Sequence, residues 1–186
     1  MRDLAAVRAL VLGEVGRALA AVDEREAKAA VDALCSARRV FVTGVGRVLL
    51  SLEAFAKRLN HLGIPTVPVG AVDEPPIGAE DLLVAGSGSG ESVVPVAIVR
   101  KAKSLGARVL AIGSNREGTI ASMADLFLRI PCRTKLARAD EIPSDQPMTS
   151  LFEQSLLLLC DCLCILVMER KGLDPATAAL AHANLE

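Results

Sequence analysis

The chain has 186 residues, 21 of them basic and 22 acidic, for a formal net charge of −1. That length suits one good core and is short for two, and the balanced charge excludes a strong field for nucleic acid or anionic lipid. Four Phe and no Trp or Tyr leave too few rings for base stacking, whereas a phosphorylated small molecule needs only a local anion site.

Leu4, Val7, Leu10 or Val11, Val15 and Leu19 form an apolar stripe that predicts a helix over residues 4–21. Asp23 caps a second predicted helix over 24–36, with Glu26 in its first turn. Val40-Phe41-Val42, ending in Thr43-Gly44, reads as a buried strand. A helix over 48–62, closed by Gly63, leads to a strand over 64–69 and a loop over 73–79 with Pro75, Pro76 and Gly78. A strand over 81–86, a turn over 87–90 and a helix over 92–105 follow, ended by Gly106. Next come a strand over 108–113, a short helix over 119–124 and a strand over 126–130. This alternation predicts a three-layer α/β/α sandwich with a five-stranded parallel sheet and ligands at the carboxyl ends of the strands.

Residues 135–148 make a polar connection with Pro143 and Pro147, longer than most structural loops and therefore a candidate for function. A long helix over 150–171 ends at Gly172, and Asp174-Pro175 opens a last short helix through Ala181. No linker or repeat interrupts residues 1–186, so a single domain is expected. Of the five cysteines, Cys160, Cys162 and Cys164 fall in the long helix and read as core thiols rather than metal ligands. The run 156–166 is broken by Asp161 and reads as too short and too polar to cross a bilayer. Residues 1–12 lack an export pattern, so a cytoplasmic protein with no membrane partner is expected.

Two loops carry the chemistry. Gly86-Ser87-Gly88-Ser89-Gly90-Glu91-Ser92 joins a hydrophobic strand to a helix. Its glycines permit close approach of an oxyanion to backbone amides, Ser87, Ser89 and Ser92 supply hydroxyls, and the helix start adds N–H groups and a favourable dipole. Gly88 belongs to the same grip, and Glu91 is expected to turn away from phosphate or toward sugar hydroxyls. The second loop is Gly44-Val45-Gly46-Arg47. Arg47 there reads either as a phosphate or sugar partner or as a surface arginine beside a turn. Gly44-x-Gly46 lacks the later glycine of the dinucleotide fingerprint, and the serine loop lacks the Walker lysine, so ATP and NAD are poor fits.

These loops resemble the sugar isomerase (SIS) domain family. The segments over 41–47, 58–63, 86–92 and 146–154 and the ending His182-Ala183-Asn184-Leu185-Glu186 are similar to its 6-phospho-3-hexuloisomerase branch, which belongs to the ribulose monophosphate pathway. The resemblance implies a sugar phosphate bound at the carboxyl ends of the sheet, no cofactor, no metal, and a homotetramer or homodimer with shared sites. It implies phosphate held by Ser87, Ser89 and Ser92, with Gly46, Arg47 and Glu153 near the sugar and His182 supplied by the tail. The chain departs from the family at Val48-Leu49, where a small polar pair is usual, and at Asp73-Glu74-Pro75-Pro76. The first departure is expected to shrink the pocket or redirect phosphate, and the second to bring anion repulsion.

Isomerisation through an enediol(ate) needs a base near the carbon next to the carbonyl and a partner for the oxygen. Glu153 reads as that base or as an ordinary first-turn carboxylate favoured by the helix dipole. His182 reads as a frayed terminus or as a group completing a neighbouring site. His61 is a second choice for catalysis, since a cap or packing role is natural so late in a helix. The expected activity is interconversion of D-arabino-hex-3-ulose 6-phosphate and D-fructose 6-phosphate. The alternatives are another phosphosugar isomerase or a noncatalytic sugar-phosphate-binding regulator.

Overall fold

The computed structural model describes residues 1–135 and 137–174. Asp3 and Asp23 open the first two helices, each carboxylate accepting a first-turn N–H at 2.8 Å, from Ala6 and Arg25. These helices are α1 (Leu4–Ala20) and α2 (Glu24–Ser36). Then come β1 (Val40–Thr43), α3 (Arg47–His61), β2 (Thr66–Pro68), β3 (Leu82–Gly86), α4 (Val93–Ser104), β4 (Arg108–Gly113), α5 (Thr119–Met123), β5 (Leu126–Arg129) and α6 (Ser150–Lys171). The predicted last helix falls on residues outside the described ones.

All strand pairs are parallel, in the order β2-β1-β3-β4-β5. The chain direction across the sheet reverses between β1 and β3. The connections leaving those two strands therefore diverge and open a crevice at their carboxyl ends.

The strands alternate by face, as pleating requires. Val40, Val42, Leu82, Val84, Leu110 and Ile112 point into a core shared with α1, α2, α3 and α6. Phe41, Leu83, Ala85, Val109 and Ala111 meet Val99, Ala102 and Ile120 of α4 and α5 on the other face. Both faces are covered, so each buried Leu, Val or Phe contributes about 1.5–3 kcal/mol. The expected three-layer α/β/α sandwich is the fold observed.

Three sequence expectations need correction. Of the α1 stripe, Val15 is buried, Leu10, Val11 and Leu19 are half-buried, and Leu4 and Val7 are exposed, while Glu14 and Ala18 beside it are buried. On α6, Cys160 and Cys164 are buried but Cys162 is exposed, because alternate residues of a helix diverge. Burial pushes the Cys160 thiol well above its ordinary value, Cys164 up to about 12 and Cys132 up to about 11, so none of the three is a ready nucleophile. By length and composition α6 would pass as a membrane span, which the expectation drawn from residues 156–166 missed. Half of its apolar window is buried, and it packs against α1, α2 and α3 in the manner of a core helix.

Two carboxylates, buried Asp81 and exposed Asp125, tie the layers at the amino ends of the strands. Asp81 is 1% exposed and accepts from Arg38 Nη2 at 2.9 Å and Gly78 N at 2.8 Å. Burial raises its pKa, but the Arg38 and Gly78 hydrogen bonds outweigh that and leave it below the usual range. At Asp125, burial is likewise outweighed, by Lys103 and Val109 N. A carboxyl lowered on folding adds stability above its unfolded pKa, near 4, and loses it as pH falls through the folded value. Urea midpoints should therefore be level above about pH 5 and decline below about pH 4. An unchanged midpoint down to about pH 3 would contradict this.

Candidate active site

A cleft of about 580 Å³ opens at the crevice between β1 and β3. One wall comes from the turn after β1. Gly46 caps α3 at φ 55°, ψ −134°, a combination that an L side chain does not comfortably adopt. That turn sets Arg47 as the first residue of α3, with its side chain 63% exposed over the cleft.

The floor is the loop from β3 to α4. Ser87 Oγ accepts from Gly90 N at 3.1 Å and lies 3.2 Å from Ser92 Oγ. Ser89 Oγ accepts from Glu91 N at 3.2 Å. The loop is anchored from β4 by Ser114 N donating to Gly88 O at 3.0 Å and by Asn115 Nδ2 donating to Ser89 O at 3.0 Å. Ser92 is the N-cap of α4 with its hydroxyl uncommitted to capping. The N–H groups of Val93 and Val94 therefore face the loop end of the helix as donors for an anion. Pro95 in that first turn costs nothing, because its missing N–H would have had no intrahelical partner.

The opposite wall is the strap from β5 to α6. Thr134, Lys135, Pro147, Met148, Thr149, Phe152 and Glu153 line the cleft from this side. The Glu153 side chain is 13% exposed and sits in the first turn of α6, paired with Arg47 Nε. Its other oxygen accepts from Thr149 Oγ1 at 2.8 Å. Ser51 Oγ donates to the Arg47 and Glu153 carbonyls at 3.1 and 3.2 Å, tying the two helix starts together. An anion grip, an exposed guanidinium and a carboxylate thus share one opening. Together they can hold a phosphorylated sugar by one end and take a proton at the other.

The cleft gathers Gly46, Arg47, Ser87, Gly88, Ser89, Ser92 and Glu153 as expected from sequence. It does not gather the others. Glu91 turns to α5, where it accepts from Thr119 N at 2.8 Å and Thr119 Oγ1 at 2.7 Å. Those bonds hold its carboxyl below the usual range, and it is withdrawn from the substrate set. His61 sits at the far end of α3, about 20 Å from Arg47 at 1.5 Å per residue. It lies near Arg58 Nη1, at 3.3 Å, and does not reach this chain's cleft. His182 lies outside the described residues.

Val48 is buried at the cleft floor, while Leu49 is absent from the lining, so any narrowing is confined to Val48. Asp73 and Glu74 do not line the cleft, and Glu74 instead accepts from Gly70 N at 2.6 Å. The expected anion repulsion therefore does not arise there. Sequence reasoning missed Thr149, whose signal was its N-cap position before the long helix. It also missed Thr134 and Lys135, which carry no local motif.

The family model of the SIS domain matches residues 33–159. The chain belongs to the SIS domain family. A 3-hexulose-6-phosphate isomerase of Bacillus subtilis is 40% identical to it over 176 residues, covering 95% of each chain. A 3-hexulose-6-phosphate isomerase of Methanocaldococcus jannaschii is 32% identical over 155 residues, covering 83% of this chain and 81% of its own length. A crystal structure of a Methanococcus jannaschii protein, for which that isomerase function was inferred, superposes with a TM-score of 0.83 at 27% identity, covering 95% and 97% of the two chains. In this SIS domain both the serine loop and Glu153 fall inside the matched residues.

Proposed function

We propose that this SIS domain is a sugar-phosphate isomerase that interconverts D-arabino-hex-3-ulose 6-phosphate and D-fructose 6-phosphate. The observation that carries the reading is Glu153 facing, across one cleft, the Ser87, Ser89 and Ser92 hydroxyls. The relatedness to 3-hexulose-6-phosphate isomerases supports the choice of substrate.

The phosphate docks on the serine loop and the start of α4. The sugar then extends toward Arg47 and the first turn of α6. Glu153 removes the proton from C2, next to the C3 carbonyl, and the electron pair passes to the C3 oxygen as the 2,3-enediolate. The Arg47 guanidinium stabilises that developing charge. Return of the proton to C3, with the C2 hydroxyl proton passing to the C3 oxygen, leaves the ketone at C2. The sequence of steps needs no redox partner.

The reading includes a pair or tetramer of copies. Leu157, Leu158, Ile165 and Leu166 on α6 are exposed apolar residues, and the groove formed by Leu157 with Leu50, Arg47 and Glu153 runs into the cleft. A second copy seated there would reach the site.

The test is incubation of the purified chain with D-arabino-hex-3-ulose 6-phosphate and enzymatic measurement of D-fructose 6-phosphate. Turnover without added cofactor is the expected result. Phosphate-competitive binding of the substrate with no turnover would replace the isomerase with a sugar-phosphate sensor.

A further inference from the structure

Glu14 is an acidic residue in the middle of α1, yet it is only 3% exposed. Burial raises its pKa, and hydrogen bonds from Ser144, the Asp145 backbone and Gln146 outweigh that, leaving the carboxyl below the usual range. Ser144 Oγ donates to its Oε2 at 2.6 Å, Gln146 Nε2 donates to the same oxygen at 3.0 Å, and Asp145 N donates to Oε1 at 2.9 Å. Ser144 Oγ also accepts from Gln146 N at 3.0 Å, so Ser144 and Gln146 are tied to each other as well as to α1.

Two residues further on, Met148 holds φ at 53° although its side chain is 87% exposed. A bulky residue in the left-handed region costs of order 1 kcal/mol and persists only where neighbouring structure fixes it. Ser150 N closes the turn by donating to Pro147 O at 3.2 Å. Thr149 then stands at the N-cap position of α6 and donates its hydroxyl to Glu153 Oε1. Nothing in the Met148 side chain enforces this turn. The fixed points are α6 on one side and the Glu14 knot on the other.

We infer that Glu14 is a positioning residue for the cleft: from α1 it clamps residues 144–146, so that the chain passing through Met148 delivers Thr149 and Glu153 to the sugar. The clamp touches neither the serine loop nor α4, so it governs the reacting half of the cleft and leaves the phosphate grip alone. Its effect on turnover rests on the isomerase reading above. Its effect on the strap does not.

The test uses Glu14→Gln and Ser144→Ala in the full chain, read by amide hydrogen exchange and by steady-state kinetics. Exchange over residues 144–149 should rise at least about tenfold in both variants, with α4 unchanged. In the isomerase assay kcat should fall about tenfold, while KM and the inhibition constant of inorganic phosphate stay within about twofold. A purely structural role predicts instead unchanged kcat in the folded fraction, or a parallel loss of phosphate affinity, and either result overturns the inference. Unchanged exchange over 144–149 overturns it whether or not the chain turns over substrate. Should the wild type prove inactive, faster exchange in the variants upholds the clamp, and only the proposed reaction falls. If Glu14→Gln does not fold, Ser144→Ala alone decides, because it removes one donor without changing the carboxylate.

Discussion

Glu153→Gln should lower kcat by roughly 10²–10⁴-fold, the usual contribution of a positioned general base, and leave KM within a few-fold. The amide keeps an oxygen that accepts from Thr149 Oγ1 and fills the same volume, so the first turn of α6 stays in place. What it loses is basicity and the pairing with Arg47. That pairing is worth at most about 1 kcal/mol, since an exposed guanidinium is well solvated, and Arg47 is more than half exposed. Stability should therefore hardly move, and the rate loss belongs to proton transfer. A variant that retains full kcat would remove Glu153 from the reaction. A variant that loses phosphate affinity in step with kcat would show the residue acting on binding.

Gly113→Ala should damage the same site from beneath. A Cβ at Gly113 would sit 2.6 Å from the carbonyl oxygen of Ser87, which is backbone and cannot swing aside. Either β4 or the serine loop must shift. Overpacking of this kind costs about 1–3 kcal/mol, and the loop gives first because β4 is paired on both sides. We expect inorganic phosphate to bind at least about tenfold more weakly to the folded variant, a loss of 1.4 kcal/mol or more, with Tm lowered by several degrees. Gly16→Ala is the contrasting substitution, because nothing lies within 4 Å of its Cβ position in α1. It should stabilise the chain by about 0.5–1 kcal/mol. Wild-type phosphate affinity in Gly113→Ala would mean that the loop tolerates displacement and that its shape is not what grips the anion.

The fold was readable because most strands are short apolar runs ended by glycine or a polar turn, and because the expected caps at Asp23 and Gly172 are the ones the structure uses. The crevice was readable in part. Gly86 through Ser92 announce themselves by composition, whereas a helix start left Glu153 open between a base and an ordinary first-turn carboxylate until the resemblance was added. Glu91 turns away from the grip, the first of its two readings, although an acidic residue inside an anion loop has no local sign that Thr119 will claim it. His61, only a second choice for catalysis, lies far from this chain's cleft because the helix that begins there ends at it. Glu14 was invisible for a different reason. A glutamate within an apolar stripe reads as a surface residue until the strap that folds over it is known, and the three donors lie about 130 residues away. Resemblance to the SIS domain family supplied the tail histidine, which no contact among the described residues addresses.

The two walls of the cleft are also two independent inheritable parts. The grip is local in sequence, one strand, one turn and one helix start, and in the proposed reaction it recognises only what every phosphorylated sugar shares. The opposing wall is the strap with the first turn of α6, held from α1 through Glu14, and in the proposed reaction it meets the variable portion of the ligand. Substitutions over residues 144–153 can therefore change which carbon gives up its proton while phosphate affinity stays constant. Such a chain can change substrates without passing through a form that binds nothing.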